Sequence, residues 1–180
     1  MNCFPDSAEL QTRRLVLRQF IPADAEPLFA FMSDASAMRH TYVAPSFEHC
    51  LARLQAYEAL RGSLGFAPWV VRRREGGRVI GWGGLSVDPD EPGWGLETSY
   101  AFHPEVWGKG YATELVQISL AHAFGVLDAA EVHAFAKPEN GASSRVLRKS
   151  GFKVLCFEPR LERDHYLATR PAGLVGSPPA

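Results

Sequence analysis

Cysteine is scarce in this chain: Cys3, Cys50 and Cys156 are the only three in 180 residues, odd in number and far apart. That excludes a disulfide framework, and no pair has metal-ligand spacing. An excess of charge of either sign is missing too. Nineteen Lys and Arg against twenty Asp and Glu leave a formal net charge of −1, so neither nucleic acid nor an anionic membrane is expected as the main partner. The one basic run, Arg72-Arg73-Arg74, ends a strand-like segment and reads as a solvated edge. No apolar stretch approaches the roughly 18 residues of a membrane span, and the first residues lack the apolar core of a secretion signal. Internal repeats and a dividing linker are absent as well. The expectation is one cytoplasmic domain over residues 10–170, preceded by an extension at 1–9 and followed by a loose Pro-, Gly- and Ala-rich tail at 171–180.

What is present is a regular alternation of short elements. Residues 12–20 alternate like a strand, and a helix is expected near 23–33 with Leu28, Phe29 and Met32 on its buried face. Ser46 is a good N-cap for a second helix near 46–62. Strands are expected at 66–73, 79–87 and 96–103, with Gly76-Gly77 as a turn and a Pro-, Asp- and Gly-dense loop at 88–95. A helix at 109–127, a strand at 131–137, a helix at 140–150 and strands at 152–158 and 162–169 complete the order. Meandering strands followed by β-α-β-α-β-β give an α/β chain with a mixed sheet flanked by helices. The crossover from 96–103 through a helix to 131–137 makes those two strands parallel and right-handed.

The most specific stretch is Trp107-Gly108-Lys109-Gly110-Tyr111-Ala112, set between a strand and an amphipathic helix. The first N–H groups of a helix have no intrahelical partner and lie at its positive end. Small residues there let an anion reach the bare backbone, and Lys109 adds a full charge. The result is a cradle for phosphate or pyrophosphate, or else a plain tight turn. A nucleoside triphosphate P-loop is excluded because Gly110 follows Lys109 where Ser or Thr is required. The three-glycine dinucleotide fingerprint does not fit either. Further on, Asn140 is a helix N-cap candidate, Val146 and Leu147 supply an apolar face, and Gly151 is a natural stop.

Together, Trp-Gly-Lys-Gly-Tyr-Ala-Thr-Glu from 107 to 114, Asn140-x-x-Ser143 and Lys149-x-Gly151-Phe152 resemble the GNAT superfamily of acyl-CoA-dependent N-acetyltransferases. The resemblance is nearest to its RimJ/RimL-like branch, which the opening Thr12–Phe20 and Pro22-Ala23-Asp24-Ala25 also resemble. It implies a mostly antiparallel central sheet with one splayed parallel pair, and acetyl-CoA as cosubstrate in the gap. On that reading the pyrophosphate takes Trp107, Gly108, Lys109, Gly110, Tyr111, Ala112 and Thr113, and pantetheine pairs with the strand edge at Tyr100, Ala101 and Phe102. The Phe102 N–H polarises the thioester carbonyl, and Glu97 is the base for the amine, with water as the other candidate. A bulge in this strand is implied as well, which leaves open the side to which Glu97 faces. Many relatives use a Tyr on the helix after 131–137 as acid. This chain has none there, so the branch's pattern assigns Ser143, with Asn140 on the pantetheine, as a helix cap, or both.

The acceptor implied by the resemblance is a primary amine, a peptide N-terminus or a small molecule, expected to attack directly in a ternary complex. A non-catalytic acyl-CoA-binding or regulatory module and transfer of another acyl group are the alternatives. His40, His49, His103, His133 and His165 have no partner at ligand spacing, so no metal is expected. Tyr42 and Trp94 fall where the acceptor cleft belongs by resemblance, and the segment 33–45 is a candidate closing loop. A homodimer is allowed by the sequence, but no heptad or apolar patch calls for one.

Overall fold

The computed structural model describes residues 9–173, so the N-terminal extension and most of the tail expected from the sequence lie outside the described residues. The strands are β1 (Leu10–Gln11), β2 (Leu15–Arg18), β3 (Trp69–Arg73), β4 (Val79–Ser86), β5 (Glu97–Phe102), β6 (Glu131–Ala136), β7 (Lys153–Glu158) and β8 (Arg163–Thr169). The helices are α1 (Ala25–Met32), α2 (Phe47–Ala59), the single turn α3 (Arg61–Leu64), α4 (Tyr111–Gly125) and α5 (Gly141–Lys149). They form one eight-stranded sheet in the order β1-β2-β3-β4-β5-β6-β8-β7, with helices on both faces. This is the expected mixed α/β architecture. The single expected strand at 12–20 divides, because Thr12 turns back to accept the Leu15 N–H and β1 folds onto β2.

Side-chain alternation distributes the core between the two faces. Leu15, Leu17, Val71, Ile80 and Phe102 pack with Leu115 of α4. Val132, Ala134 and Tyr166 continue that face against Val116, Leu120 and Ala123 of α4 and Leu147 of α5. On the opposite face Val70 and Trp82 meet Leu28 and Phe31 of α1 and Leu54 and Tyr57 of α2. Helix α2 starts where the sequence indicates, with the Ser46 hydroxyl accepting the His49 N–H at 3.3 Å.

All neighbouring strands are antiparallel except β5 and β6, which share one parallel pair, Glu97 with His133. There the His133 N–H donates to Leu96 O at 2.8 Å. Beyond it no pairing between the two strands continues, so the sheet opens toward their C-terminal ends. The bulge anticipated in β5 does not occur: pairing with β4 runs in unbroken register from Gly81–Phe102 to Ser86–Glu97. The irregularity sits one strand away, between Val71 and Arg72 of β3. The glycines of β4 explain why β5 stays regular. At Gly83 a Cβ would lie 2.4 Å from Ser99 O, so its absence lets β5 approach without slipping.

The N-terminal strands are tied to the start of α4 through Glu114. Its carboxylate accepts from the Thr12 hydroxyl, from Arg14 N–H at 2.8 Å and from Arg14 Nε at 2.7 Å. Burial alone would raise the Glu114 pKa, but the hydrogen bonds from Thr12 and Arg14 outweigh it and hold it below the ordinary value. A lowered carboxylate contributes stability above its unfolded pKa and loses it as pH falls through the folded one. Glu114→Gln is therefore expected to destabilise the fold by about 1–3 kcal/mol at neutral pH. The difference from wild type should shrink as the medium is acidified below about pH 4, and denaturant titrations across pH check both.

Candidate active site

Helix α4 begins after a loop in which Gly108 and Gly110 have φ of 73° and 80°. Gly110 is the N-cap, in the left-handed region that residues with a side chain rarely adopt. Trp107, Gly108, Gly110, Tyr111, Ala112 and Thr113 form one wall of a cleft of about 330 Å³. Asn140, Ser143, Arg145 and Lys149 line it from the α5 side, and Tyr100, Ala101 and Phe102 line it from β5. Thus eleven of the twelve residues assigned to the cosubstrate from sequence meet around one cavity. The exception is Lys109, which donates its ammonium to Glu105 O at 2.9 Å and does not line the cleft. The loop is held instead by Arg14, which donates to Lys109 O at 2.8 Å and lies 4.5 Å from the centre of the Tyr111 ring.

The edge of β5 supplies the polar floor. The His103 N–H donates to Ile80 O, and pairs in an antiparallel ladder alternate, so Ala101 bonds to Trp82 of β4. The N–H and C=O of Tyr100 and the N–H of Phe102 therefore face the gap. The Phe102 carbonyl is occupied by the Trp107 indole N–H at 2.8 Å, leaving the N–H as the group offered at that position. Across the gap the Tyr100 hydroxyl and Ser143 Oγ are 2.7 Å apart. Asn140 is a true N-cap, its Oδ1 accepting the Ser143 N–H at 3.1 Å. Burial pushes the Tyr100 phenol up to about 12, against the hydrogen bond it shares with Ser143, so the phenol keeps its proton at neutral pH.

Unbroken register settles the facing of Glu97. With Ser99 and Ala101 it points to the α1–α2 face, into a second cavity of about 280 Å³. Tyr42, Tyr57, Trp82, Trp94 and Phe135 make much of its wall. The two cavities share Met38, Thr41, Tyr100 and Ala101, so part of the 33–45 segment borders both. Burial, and then the charge of Asp88, raise the Glu97 carboxyl to about 7. A carboxyl poised there can accept a proton at physiological pH. The Tyr57 hydroxyl donates to Asp88 at 3.3 Å, and Arg53 pairs with Asp88 and Asp90 at 3.7 and 3.3 Å.

Sequence reasoning missed Arg14, Arg53, Tyr57 and Arg163 as neighbours of these cavities, and Tyr100 as a side chain facing Ser143. No local signal marks them, because each reaches the site through tertiary pairing. His133 and His165 are likewise not isolated: Nδ1 of the first lies 2.8 Å from Nε2 of the second. Among the described residues no group of three or more His, Cys, Asp and Glu is placed to hold a metal ion.

The sheet thus opens between two parallel strands, with a glycine loop at a helix start on one side and a carboxylate chamber on the other. The chain belongs to the acetyltransferase (GNAT) domain family, whose model matches residues 14–153. It is 30% identical over 146 residues to the uncharacterized N-acetyltransferase YoaA of Bacillus subtilis (strain 168), covering 80% of this chain and 82% of that one. Its fold matches an acetyltransferase of Agrobacterium tumefaciens with a TM-score of 0.79 at 24% identity, over 94% and 99% of the two chains. It also matches RimL, a ribosomal L7/L12 N-terminal acetyltransferase solved with coenzyme A, with a TM-score of 0.72 at 17% identity, over 88% and 96%.

Because the Glu97 pKa is raised on folding, its ionisation costs stability as pH climbs from about 4.5 toward 7. Glu97→Gln is expected to melt above wild type at pH 8, with the gap narrowing on acidification. A carboxyl titrating near 7 should disappear from the NMR spectrum of glutamate-labelled protein in the same variant.

Proposed function

We propose that this protein transfers the acetyl group of acetyl-CoA to a primary amine by direct attack in a ternary complex. The observation that carries the reading is the meeting of the two cavities at Tyr100 and Ala101, with the Phe102 N–H on one side and Glu97 on the other. The cosubstrate fits what the chain offers: a gap between parallel strands edged by unpaired amide groups, and bare N–H groups at the start of α4 for a pyrophosphate. Its thioester supplies the acyl group. Glu97 takes the amine proton, directly or through water, and the Phe102 N–H donates to the carbonyl oxygen as negative charge develops there. Ser143 donates to the departing sulfur, and Tyr100 behind it returns a hydrogen bond to Ser143. Arg145 and Lys149 add positive charge along the cleft.

The RimJ/RimL-like pattern of Trp107 and Asn140-x-x-Ser143 supports placing the chain near that branch. Trp107 has a physical task in that pattern, since its indole fixes the Phe102 carbonyl and with it the direction of the neighbouring N–H. No described helix is long and apolar enough to cross a membrane.

Calorimetric titration with acetyl-CoA, followed by thiol-release assays on a panel of amines, tests the proposal. Gly110 is a poor site for a blocking charge because its φ is positive, whereas Thr113 lies in the first turn of α4 and lines the cleft. Micromolar binding that Thr113→Glu abolishes is the expected result. Glu97→Gln should keep binding but lower kcat by about 10²–10⁴. In wild type kcat/KM should rise with pH up to about 7. Binding with no turnover, and no effect of Glu97→Gln or Ser143→Ala, would instead identify a regulatory acyl-CoA-binding module.

A further inference from the structure

The charges of the Glu97 chamber are unequally committed. Arg53 is held by Asp88 and Asp90 and lies over the rings of Tyr42 and Tyr57, at 5.1 and 5.3 Å from their centres. Glu91 pairs with Arg160 at 3.2 Å. Asp88 accepts from Tyr57 and from the Asp90 N–H. Two ionisable groups are left. One is Glu97. The other is Arg163, the first residue of β8, which lines the chamber and has no ion pair or side-chain hydrogen bond among the described residues. Glu158, opposite Arg163 on β7, does not engage it and instead accepts the Arg160 N–H at 3.1 Å. The Arg163 charge still reaches Glu97, whose ionised form it favours.

A guanidinium with no partner on the wall of an aromatic chamber is a recognition group awaiting an anion, since Arg presents a fork that matches a carboxylate. Resting on the acetyl-transfer reading of this chamber, we propose that the acceptor is a small amino acid-like zwitterion with an aromatic or large apolar side chain. Its amine sits beside Glu97 and its carboxylate on Arg163. The side chain packs on the edge-to-face pairs Tyr57–Trp82 and Trp94–Phe135, whose ring centres are 5.1 and 5.2 Å apart. A cavity of about 280 Å³ suits a molecule of that size. The arrangement selects against amines that lack the anion, because their binding leaves Arg163 lining the chamber with no counter-charge.

The test compares phenylalanine with phenylalaninamide, which keeps the amine and ring but loses the carboxylate. Each is measured by acetylation rate and, independently, by calorimetric binding to the protein saturated with coenzyme A. Wild type is expected to favour phenylalanine by about 10–100-fold, the range of one charge-assisted contact. Assayed at about pH 9, where Glu97 is ionised with or without the Arg163 charge, Arg163→Gln should erase that preference mainly through KM, leave the amide within about twofold, and leave acetyl-CoA binding unchanged. Arg163→Lys should restore part of the preference. A protein that binds phenylalanine over the amide without acetylating either would support the charge assignment while removing acetyl transfer. Equal or better use of the amide by wild type, or equal loss of both acceptors in Arg163→Gln, would overturn the proposal.

Discussion

Everything functional in this fold depends on one discontinuity, the single parallel pair between β5 and β6. Glu97 and His133 meet, and the strands then part. A sheet edge inside a protein exposes N–H and C=O groups that must find partners or water, so opening one is costly. The chain limits that cost with specific supports. Trp107 occupies the Phe102 carbonyl, and the Tyr100 and Ser143 hydroxyls bridge the gap from strand to helix. Arg14 and Glu114 fasten the loop before α4 to the far side of the sheet. What stays unpaired is the short row of amide groups that an extended, amide-bearing ligand arm can complete.

The opening also separates two electrostatic environments. On the α4–α5 side the donors are backbone N–H groups with Arg145 and Lys149 nearby, a setting for anions. On the α1–α2 side the half-buried Glu97 carboxylate is raised to about 7 by loss of solvation and then by Asp88. One strand serves both, because alternation sends Tyr100 and Phe102 one way and Glu97 the other. An unbroken register is therefore a requirement of the chemistry. A slip of one residue in β5 would send Glu97 into the α4 core and Phe102 into the chamber that Glu97 now lines. The glycines of β4 protect that register by letting the two backbones lie close.

Legibility from sequence follows the range of each interaction. The α4 loop, the Asn140 and Ser46 caps and the α-β alternation depend on residues within about a turn of one another, and all are plain in the chain. Helix α2 ends at Ala59, earlier than its pattern indicates: Leu60 caps it and leads into the separate α3, which Gly65 closes at a φ of 80°. The missed contacts are the distant ones. Arg14 and Glu114 lie 100 positions apart, Tyr100 and Ser143 lie 43 apart, and His133 meets His165 only because β6 and β8 pair. Even the facing of Glu97 was open until the β4 register excluded a bulge.

The same geometry bears on the order of chemical events. A covalent acyl-enzyme route would need a nucleophile that touches both cavities. Cys50 is buried in α2 among apolar side chains, which raise its thiol pKa, and Cys156 lies on the outer strand β7. Neither borders either cavity, and of the hydroxyls that border both, Thr41 donates to Met38 Sδ and the Tyr100 phenol is raised to about 12, so neither is an activated nucleophile. By contrast Tyr100 and Ala101, with Met38 and Thr41 above them, belong to the walls of both. Two ligands bound in the two cavities would bring their reactive ends to the same stretch of wall at Tyr100 and Ala101. Direct attack in a ternary complex is the mechanism such a wall favours, because holding both reactants at once supplies the orientation that a covalent relay would otherwise provide.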